Sequence, residues 1–534
     1  MPPTEVPDLK LRSVLLAAAL LFPCVGAAAQ TPAICGDCNG DGGVNILDAL
    51  LAAQNAVGTI TLVDPEFAAC NTQGQLGDST TAGAAVNILD AFEIASYAAS
   101  LLPSLSCTLG PGGVPVPPWA TGSYFPPWQS VAPLRVIPHT YDAMLSPVQN
   151  GAALATAVAA LAPGDRLDIA SGTYSVNQWW NVVLQGTASA PIWIVAAAGA
   201  NVVITRPDAA QNVINLAAQP GDRTEFVCLR GLEITGGDTL IKLYRVGDIW
   251  IDQCHIHDGS GVGIAANSAD VDHLYITRNE IHDPGLPGDT SEGMYLGANS
   301  SASRMVHSII ALNHVHHCGG TQGDGIEVKQ GSHTNWIAEN LVHDTNYPCL
   351  IAYGTDGLGL NLIERNTLYT SNDNTMQVQG EAIVRNNLIM DAAGTGFQSQ
   401  DHQGQTRDLV FVNNTIVTRG RATNLTSWNG RAGMVLANNV IYSRDAESIR
   451  FPSGSSGVTL SGNVTLGAVQ GAATGSVPGV GLADFVQVAW DASLRDAHPA
   501  PGSSFLGAAD PAHAPAIDLD GASRTPPHTA GAYQ

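Results

Sequence analysis

Three charged residues crowd the short stretch Asp324-Gly-Ile-Glu327-Val-Lys329, in a chain in which only 13% of the residues are charged. Alternation with a period of two predicts a strand that buries Ile326 and Val328 and turns Glu327 and Lys329 outward. Carboxylate oxygens are ligands that Ca²⁺ prefers. A lysine beside a divalent cation can have its pKa lowered enough to act as a base. The stretch therefore predicts a site for a cation and for proton transfer.

Similar segments occur on both sides of this stretch, at residues 293–296, 349–352, 375–378, 396–399 and 448–451. If their strands stack in register, their outward side chains form one continuous strip. Glu292 and Asp324 precede equivalent glycines, so we expect them, with Glu327, to be ligands of a Ca²⁺ ion in a cleft. Amide, imidazole and guanidinium groups would contact a substrate on the same strip, and the candidates are Gln377, Gln379, Gln398, His402 and Arg450.

A repeat must position these side chains. The pattern Asn-x-apolar recurs at a spacing mostly in the mid-twenties, at Asn279, Asn313, Asn340, Asn366, Asn387, Asn414 and Asn439, with a variant at Asn463. A period of this length is one coil of a parallel β-helix. Stacked Asn side chains would pair buried polar groups from coil to coil. We expect an all-β solenoid over residues 134–534, with a short helix at residues 150–161 as its cap.

A column of histidines lies three residues after the Asn column, at His257, His282, His316 and His343, and Asp258, Asp283 and Asp344 follow three of them. Because each coil contributes one ring, we interpret the column as a ladder held by stacking and hydrogen bonds. A metal-binding or acid–base role is the alternative.

The composition restricts the class of protein. The chain has 534 residues, 57 of them glycine, and a net charge of −24. A strongly acidic chain without a basic stripe is not expected to bind nucleic acid. Lys10 and Arg12 precede an apolar run, and three alanines at residues 27–29 offer a cleavage site, so residues 1–29 are predicted to be a secretory signal. That run is too short to span a membrane, and no later segment is a candidate.

Cysteine usage agrees with export. Removal of the signal leaves eight cysteines in two sets of four, and we expect disulfides within each set, with the pairing left open. The sets are Cys35, Cys38, Cys70 and Cys107, and Cys228, Cys254, Cys318 and Cys349.

Residues 34–107 begin with a calcium loop. Its ligand positions 1, 3, 5, 7, 9 and 12 are Asp37, Asn39, Asp41, Gly43, Asn45 and Asp48. A second copy near residues 78–92 lacks a carboxylate at position 5 and is expected to bind weakly or not at all. The two loop–helix units resemble a dockerin module, a small all-α domain. This resemblance implies Ca²⁺-dependent docking to a cohesin-like partner, and simple surface anchoring is the alternative. Residues 108–133, rich in proline and glycine, are predicted to be an extended linker.

The repeat domain also resembles known proteins. Its start helix, first strand and closing segment at residues 518–533 resemble secreted right-handed parallel β-helices of the pectate-lyase-like superfamily. The stretch from Asp324 to Ser332 resembles the chondroitinase B and alginate lyase family. The resemblance implies that Asp324 is a Ca²⁺ ligand and Lys329 the base. That family has a catalytic Arg on the next coil, where this chain has Ala352-Tyr353-Gly354. Either Tyr353 supplies the acid or the activity is absent.

Together these patterns predict a secreted or cell-surface, monomeric, Ca²⁺-dependent polysaccharide lyase that cleaves uronate-containing glycans. A non-catalytic surface or glycan-binding β-helix, anchored through the dockerin-like module, is the alternative. A polygalacturonase-like hydrolase is disfavoured because paired aspartates on neighbouring coils are not evident.

Overall fold

The computed structural model describes residues 50–51, 120, 122–286, 288–472 and 474–534. The predicted signal segment, the first set of four cysteines and the six calcium-loop ligands lie outside the described residues. The dockerin-like module and its docking partner therefore stay predictions. Leu50 and Leu51, the two described residues in this part of the chain, are helical.

Three parallel sheets form the body of the molecule, and neighbouring strands in a sheet come from successive coils. Sheet 1 has 14 strands, at Arg135–His139, Asp165–Ile169, Ile192–Ala196, Thr224–Arg230, Val246–Asp252, Val271–Thr277, Met305–Val306, Ile309–Ala311, Trp336–Ala338, Asn361–Glu364, Ala382–Arg385, Leu409–Val412, Val435–Ala437 and Thr459–Ser461. Sheet 2 has ten strands, at Asn181–Val182, Ile214–Leu216, Ile241–Leu243, Ile264–Ala266, Met294–Leu296, Ile326–Val328, Leu350–Ala352, Met376–Val378, Thr395–Ser399 and Arg421–Leu425.

Sheet 3 has 13 strands, at Gly172–Ser175, Val202–Arg206, Glu233–Gly236, His255–His257, Glu280–His282, His314–Cys318, Leu341–Thr345, Thr367–Ser371, Leu388–Ala392, Thr415–Thr418, Val440–Arg450, Asn463–Gln470 and Ser476–Pro478. The inward side chains of all three sheets form one apolar core, which includes Ile326 and Val328, both fully buried. The all-β solenoid predicted from the repeat is confirmed.

The asparagine column is a continuous hydrogen-bonded ladder from Asn279 to Asn463. At a typical rung, Asn340 Oδ1 accepts from the backbone N–H of Asn313 at 3.1 Å and from Asn313 Nδ2 at 3.0 Å. Asn340 Nδ2 in turn donates to the carbonyl of Ile310 and to Asn366 Oδ1. The residue before each rung has a positive φ, as at Glu339 (53°). The ladder thus satisfies the buried polar groups at a turn that the backbone makes in a strained, left-handed conformation.

Helix α1 (Pro147–Ala159) covers the start of the solenoid and begins with a capping box between Ser146 and Gln149. At the other end, residues 482–533 include 3₁₀ turns at Leu482–Asp484 and Pro511–His513 and an antiparallel pair, Phe485–Val488 with Arg495–Pro499. Apolar side chains of this segment pack on the outer face of sheet 3, where Phe485 contacts Tyr442. The closing segment therefore lies along the side of the solenoid.

An aromatic strap, which we define as residues 122–131, covers part of the outer face of sheet 1. The ring of Trp128 lies 5.7 Å from that of Trp193 and 5.9 Å from that of Trp250, while Tyr124 meets Trp336 at 4.5 Å. These contacts attach the last part of the proline-rich stretch to the β-helix.

The expectation of disulfides is wrong for the second set of cysteines. Cys228, Cys254, Cys318 and Cys349 are free and buried. Cys228 packs outside sheet 1 among Trp193 and its neighbours, whereas the other three point into the solenoid interior. Cys228 is separated from the other three by the wall of the solenoid and cannot be joined to them. Of the helices that the structure describes, none is long and apolar enough to cross a membrane.

Candidate functional site

The outer face of sheet 2 carries a register-matched row of side chains. Strand pairing aligns, from coil to coil, Lys242, Ala265, Tyr295, Glu327, Ile351, Gln377, Gln398 and Asn424. Five coil steps separate Tyr295 from Asn424, which is about 24 Å at the usual strand spacing. The strip predicted from the sequence is present, and it is long enough for several sugar units.

Lys329 and Glu327 lie at the middle of the strip. Their side chains form an ion pair and are 6% and 3% exposed. Lys329 Nζ lies 4.5 Å from the ring centre of Tyr295 and 5.1 Å from that of Tyr353, within reach of cation–π attraction. The sequence correctly predicted that these two residues point away from the core, but their neighbours shield them from solvent.

Two glycines place Glu292 and Asp324 beside this pair. A Cβ at Gly293 would come within 2.6 Å of the Gly325 carbonyl, and one at Gly325 within 2.5 Å of the Cys349 carbonyl, so the coils approach closely only with glycine there. The Gly293 N–H donates to the Asp324 carbonyl at 2.8 Å. Successive coils therefore bring the two carboxylates to equivalent positions.

The carboxylates of Glu292, Asp324 and Glu327 are buried. Among the described residues, the one ion pair that any of them forms is that of Glu327 with Lys329. Each carboxylate keeps one buried oxygen without a hydrogen-bond partner: Glu292 Oε2, Asp324 Oδ1 and Glu327 Oε2. Burial and the charges of Glu327 and Glu292 raise the pKa of Asp324 well above its usual range. Burial likewise raises the pKa of Glu327, against the opposing charge of Lys329. The group favours the uptake of positive charge, as a proton or as a cation.

Three carboxylates with unpaired oxygens are a suitable donor set for Ca²⁺. Their oxygens do not form a ready-made triad, however. Among the described residues, two groups bring three ligand atoms within 4.8 Å of one another, and both lie on sheet 3. A cation bound by Glu292, Asp324 and Glu327 would therefore require their side chains to rotate toward it.

Burial and the nearby carboxylates also determine the protonation of Lys329, the candidate base, and of Tyr353, the candidate acid. Burial disfavours the ammonium group, but the charge and hydrogen bond of Glu327, together with those of Tyr295, outweigh this effect and raise the pKa of Lys329. Burial and the charges of Glu327 and Asp324 raise the pKa of Tyr353. As the structure stands, Lys329 is protonated and paired, and Tyr353 holds its phenolic proton.

The whole chain has three lysines, Lys10, Lys242 and Lys329. Both lysines of the β-helix lie on the outer face of sheet 2. Lys242 donates a hydrogen bond to Asn267 Oδ1, and burial lowers its pKa. It is three coil steps from Glu327, so it is separate from the carboxylate cluster.

The predicted substrate contacts lie on the following coils. Gln377 and Gln398 occupy adjacent positions of the strip, and Gln379 Oε1 accepts from the N–H of Gln403 at 3.0 Å. His402 is exposed, and its ring meets that of Tyr353 edge-on at 5.2 Å.

The sequence placed Arg450 directly after Gln398, and this is wrong. The strand Arg421–Leu425 occupies that position, with Asn424 in register with Gln398. Arg450 belongs to a long strand of sheet 3 and bonds Asn424 Oδ1 through Nη1 at 2.7 Å. The strand Arg421–Leu425 was missed because it does not fit the Gly-apolar-x-apolar pattern.

Loops after the sheet 2 strands form a wall along one side of the strip. Asp356 accepts hydrogen bonds from Ser301 Oγ and from Gln330 Nε2. Gln403 Nε2 donates to Asn299 Oδ1 at 3.0 Å, joining loops that are 104 residues apart. We call the strip together with these loops the candidate cleft.

A family model matches part of this chain, and several solved structures are similar to it. Residues 213–368 match the family model described as "Right handed beta helix region". Among solved structures, pectate lyase Pel9A is 12% identical, with 76% of this chain and 97% of that chain covered and a TM-score of 0.42. XylC in complex with xylose is 10% identical (71% and 94% covered, TM-score 0.46). An alginate lyase from Paenibacillus sp. str. FPU-7 is 17% identical (63% and 99% covered, TM-score 0.39). No curated protein matches. Three stacked parallel sheets and the matched family model identify the body of this chain as a right-handed β-helix.

Proposed function

We propose that the chain is a polysaccharide lyase that binds a uronate-containing glycan in the cleft of sheet 2 and cleaves it by β-elimination. The observation that carries the proposal is the cluster of Glu292, Asp324, Glu327 and Lys329, with three unpaired carboxylate oxygens, on a strip whose following coils carry amide side chains. Buried charge without compensation costs stability, so a protein keeps it where function uses it.

In this proposal Lys329, once neutral, removes the proton at C5 of the uronate. The electron pair left at C5 forms the C4–C5 double bond, and the bond from C4 to the glycosidic oxygen breaks. Tyr353, which the raised pKa keeps protonated, donates its proton to the leaving oxygen. Gln377, Gln379, Gln398 and His402 orient the sugar units on the following coils, and Arg450 extends the cleft through Asn424.

Glu292, Asp324 and Glu327 are the residues that would hold a Ca²⁺ ion. When bound, the ion would supply positive charge to the substrate carboxyl group and would weaken the hold of Glu327 on Lys329, which lowers the pKa of that lysine. The chain's own residues then place the amine of Lys329 between the two tyrosine rings, shielded from water.

Three observations favour a second function, glycan binding without cleavage. Lys329 is ion-paired, its pKa is raised, and the coil that would carry an arginine in the resembled lyases carries Tyr353 instead. A lysine that stays protonated can bind a uronate carboxylate but cannot remove a proton.

The test is an assay of unsaturated uronate formation, by ultraviolet absorbance, over a panel of uronate polysaccharides with and without a chelator. We expect product with at least one glycan, and a loss of activity of at least about 100-fold in Lys329→Met, as for removal of a general base. Lys242→Met, three coils away, is the matched control and should retain kcat.

A parent protein that binds a panel glycan in calorimetry but forms no product supports the binding protein. If the protein neither binds any uronate polysaccharide nor forms product from one, both proposed functions are contradicted.

A further inference from the structure

The outer face of sheet 3 carries two parallel columns of imidazoles and carboxylates, on a different sheet from the proposed cleft. In the first column His255, Glu280 and His314 are in register. In the second, His257, His282, His316 and His343 are in register. Because residues i and i+2 of a strand face the same side, the two columns lie next to each other.

The second column is the ladder predicted from the sequence, and its stacking is confirmed. Neighbouring rings have centroids 4.9–5.2 Å apart and planes within 11° of parallel, from His257 through His282 and His316 to His343. Stacking also joins the two columns, since the rings of His255 and His257 stack at 4.0 Å. In addition, the first-column rings direct their nitrogens at those of the second column, His255 at His282 and His314 at His343.

Carboxylates fix the tautomer of most ladder rings. Nδ1 of His257 lies 2.8 Å from Asp258, Nδ1 of His282 lies 2.9 Å from Asp283, and Nδ1 of His343 lies 2.7 Å from Asp344. A ring whose Nδ1–H donates to a carboxylate has its lone pair on Nε2. This is the arrangement that supports zinc-binding histidines in proteins.

The free nitrogens converge in two places. Ligand atoms of His255, His257 and His282 lie within 4.8 Å of one another, and the same holds for Glu280, His314 and His316. In the first group His255 Nε2 is 2.8 Å from His282 Nε2, and His257 Nε2 is buried without a hydrogen-bond partner. In the second, Glu280 Oε1 lies 3.4 Å from His316 Nε2 and 3.8 Å from His314 Nδ1. The other nitrogen of His314, Nε2, lies 2.8 Å from His343 Nε2, outside this group.

We propose that these two groups are binding sites for a divalent transition-metal ion of the zinc type: site 1 with His255, His257 and His282, and site 2 with Glu280, His314 and His316. Three nitrogen or carboxylate ligands with an open fourth position suit Zn²⁺. The Nε2 atoms of His255 and His282 need only separate by about half an ångström to reach the distance between two ligands of a tetrahedral ion.

The charge state of the rings is compatible with metal binding. Burial lowers the pKa of His255 and of His314, and burial with the neighbouring rings lowers the pKa of His316 to about 4. A lowered pKa favours the neutral form of these three rings, whose lone pair can bind a metal ion.

The chain contains a natural control on sheet 1. His273 and His307 also stack, at 5.4 Å, and His273 Nδ1 also lies near a carboxylate, at 3.1 Å from Asp272. Their ligand atoms do not belong to either three-residue group found among the described residues. His273 and His307 therefore share the stacking and the nearby aspartate with the proposed sites but lack their converging nitrogens.

The test is the zinc content of the full chain after equilibrium dialysis, with excess Ca²⁺ present to occupy oxygen-rich sites. We expect His255→Gln/His282→Gln to bind one Zn²⁺ fewer than the parent, and His314→Gln/His316→Gln also one fewer. His273→Gln/His307→Gln should equal the parent. Zinc bound elsewhere in the chain contributes equally to the parent and to each variant, so it cancels when their zinc contents are subtracted.

A milder variant guards against loss of fold. Asp283 has a φ of 45°, which asparagine tolerates, so Asp283→Asn keeps the backbone and every ligand of site 1. We expect it to raise the zinc Kd of site 1 by about 10-fold or more. Equal zinc contents of the parent and both double variants, or an unchanged affinity in Asp283→Asn, would overturn the proposal.

Discussion

Asp324 combines burial, like-charged neighbours and an unpaired oxygen. The residue is 3% exposed and lies near Glu292 and Glu327, and its Oδ1 has no hydrogen-bond partner. A carboxyl group whose pKa is raised by folding binds more protons in the folded than in the unfolded chain. Its contribution to stability is therefore present below the unfolded pKa and is lost as the pH rises through the folded pKa.

This residue gives a prediction about pH and calcium. From pH 4 toward pH 8 the melting temperature of the parent should fall, because Asp324 and Glu327 must ionise. Added Ca²⁺ should raise the melting temperature more at pH 8 than at pH 5. Asp324→Asn should show a smaller fall and a smaller Ca²⁺ effect, measured by scanning calorimetry. Asp445→Asn, an exposed carboxylate, is the control. Equal Ca²⁺ effects in both variants would contradict a role of Asp324 in cation binding.

The buried thiols give a second prediction. Burial raises the pKa of Cys254 and of Cys349 to about 12, and it also raises those of Cys228 and Cys318. Since the thiolate is the reactive form, all four should resist alkylation in the native chain and react fully after unfolding. Peptide mapping by mass spectrometry measures this. A disulfide-linked peptide containing two of these four cysteines would contradict the structure.

Sequence reasoning found the residues of the cluster because their charge stands out in an apolar repeat. The sequence does not predict which of these charged residues form an ion pair. Period-two alternation places Glu327 and Lys329 on one face, but the choice of Glu327 as partner and the burial of both depend on Tyr295 and Tyr353 from adjacent coils. Alternation likewise gives no sign of Asn424, whose strand lacks the repeated pattern.

At the scale of the element, the asparagine ladder stabilises each turn between sheet 1 and sheet 3. Asn340→Ala removes the acceptor for the N–H and Nδ2 of Asn313 and the donor to the Ile310 carbonyl. Each buried group left unpaired costs about 1–3 kcal/mol. We expect a clear fall in the urea midpoint, while Asn372→Ala, at an exposed asparagine, should change stability by no more than about 0.5 kcal/mol. Equal effects of the two substitutions would contradict the ladder as a source of stability.

The repeat predicted this element well because Asn must recur at every turn to continue the ladder. A second, shorter ladder runs from Ser308 through Asn335 to Asn361, and the sequence pattern does not predict it. Three rungs are too few to stand out as a period in a chain rich in asparagine.

At the scale of the whole molecule, the aromatic strap joins coils that are distant in sequence. Trp128→Ala should lower the free energy of detaching the strap by about 3–5 kcal/mol, because it removes a buried indole from contact with Trp193 and Trp250. Hydrogen exchange of the amides of Gln129 and Val131, which bond within the strap, reports this opening.

Trp179→Ala provides the matched control, since Trp179 is 50% exposed and lies away from the strap. Trp179→Ala should leave the hydrogen-exchange rates of the Gln129 and Val131 amides unchanged. Equal protection of both amides in the parent and in Trp128→Ala would show that the strap does not depend on this ring.

The strap also determines how the molecule carries a load. Tyr124 contacts the coil of Trp336, Trp128 contacts that of Trp193, and the chain then enters its first strand at Arg135. The segment thus runs along about five coils, or about 24 Å, against the direction in which the coils accumulate. A pull on the chain before residue 122 loads these aromatic contacts together, in shear, before any tension reaches the first coil. Tethering through the preceding residues would therefore stress the middle of the solenoid and spare its end.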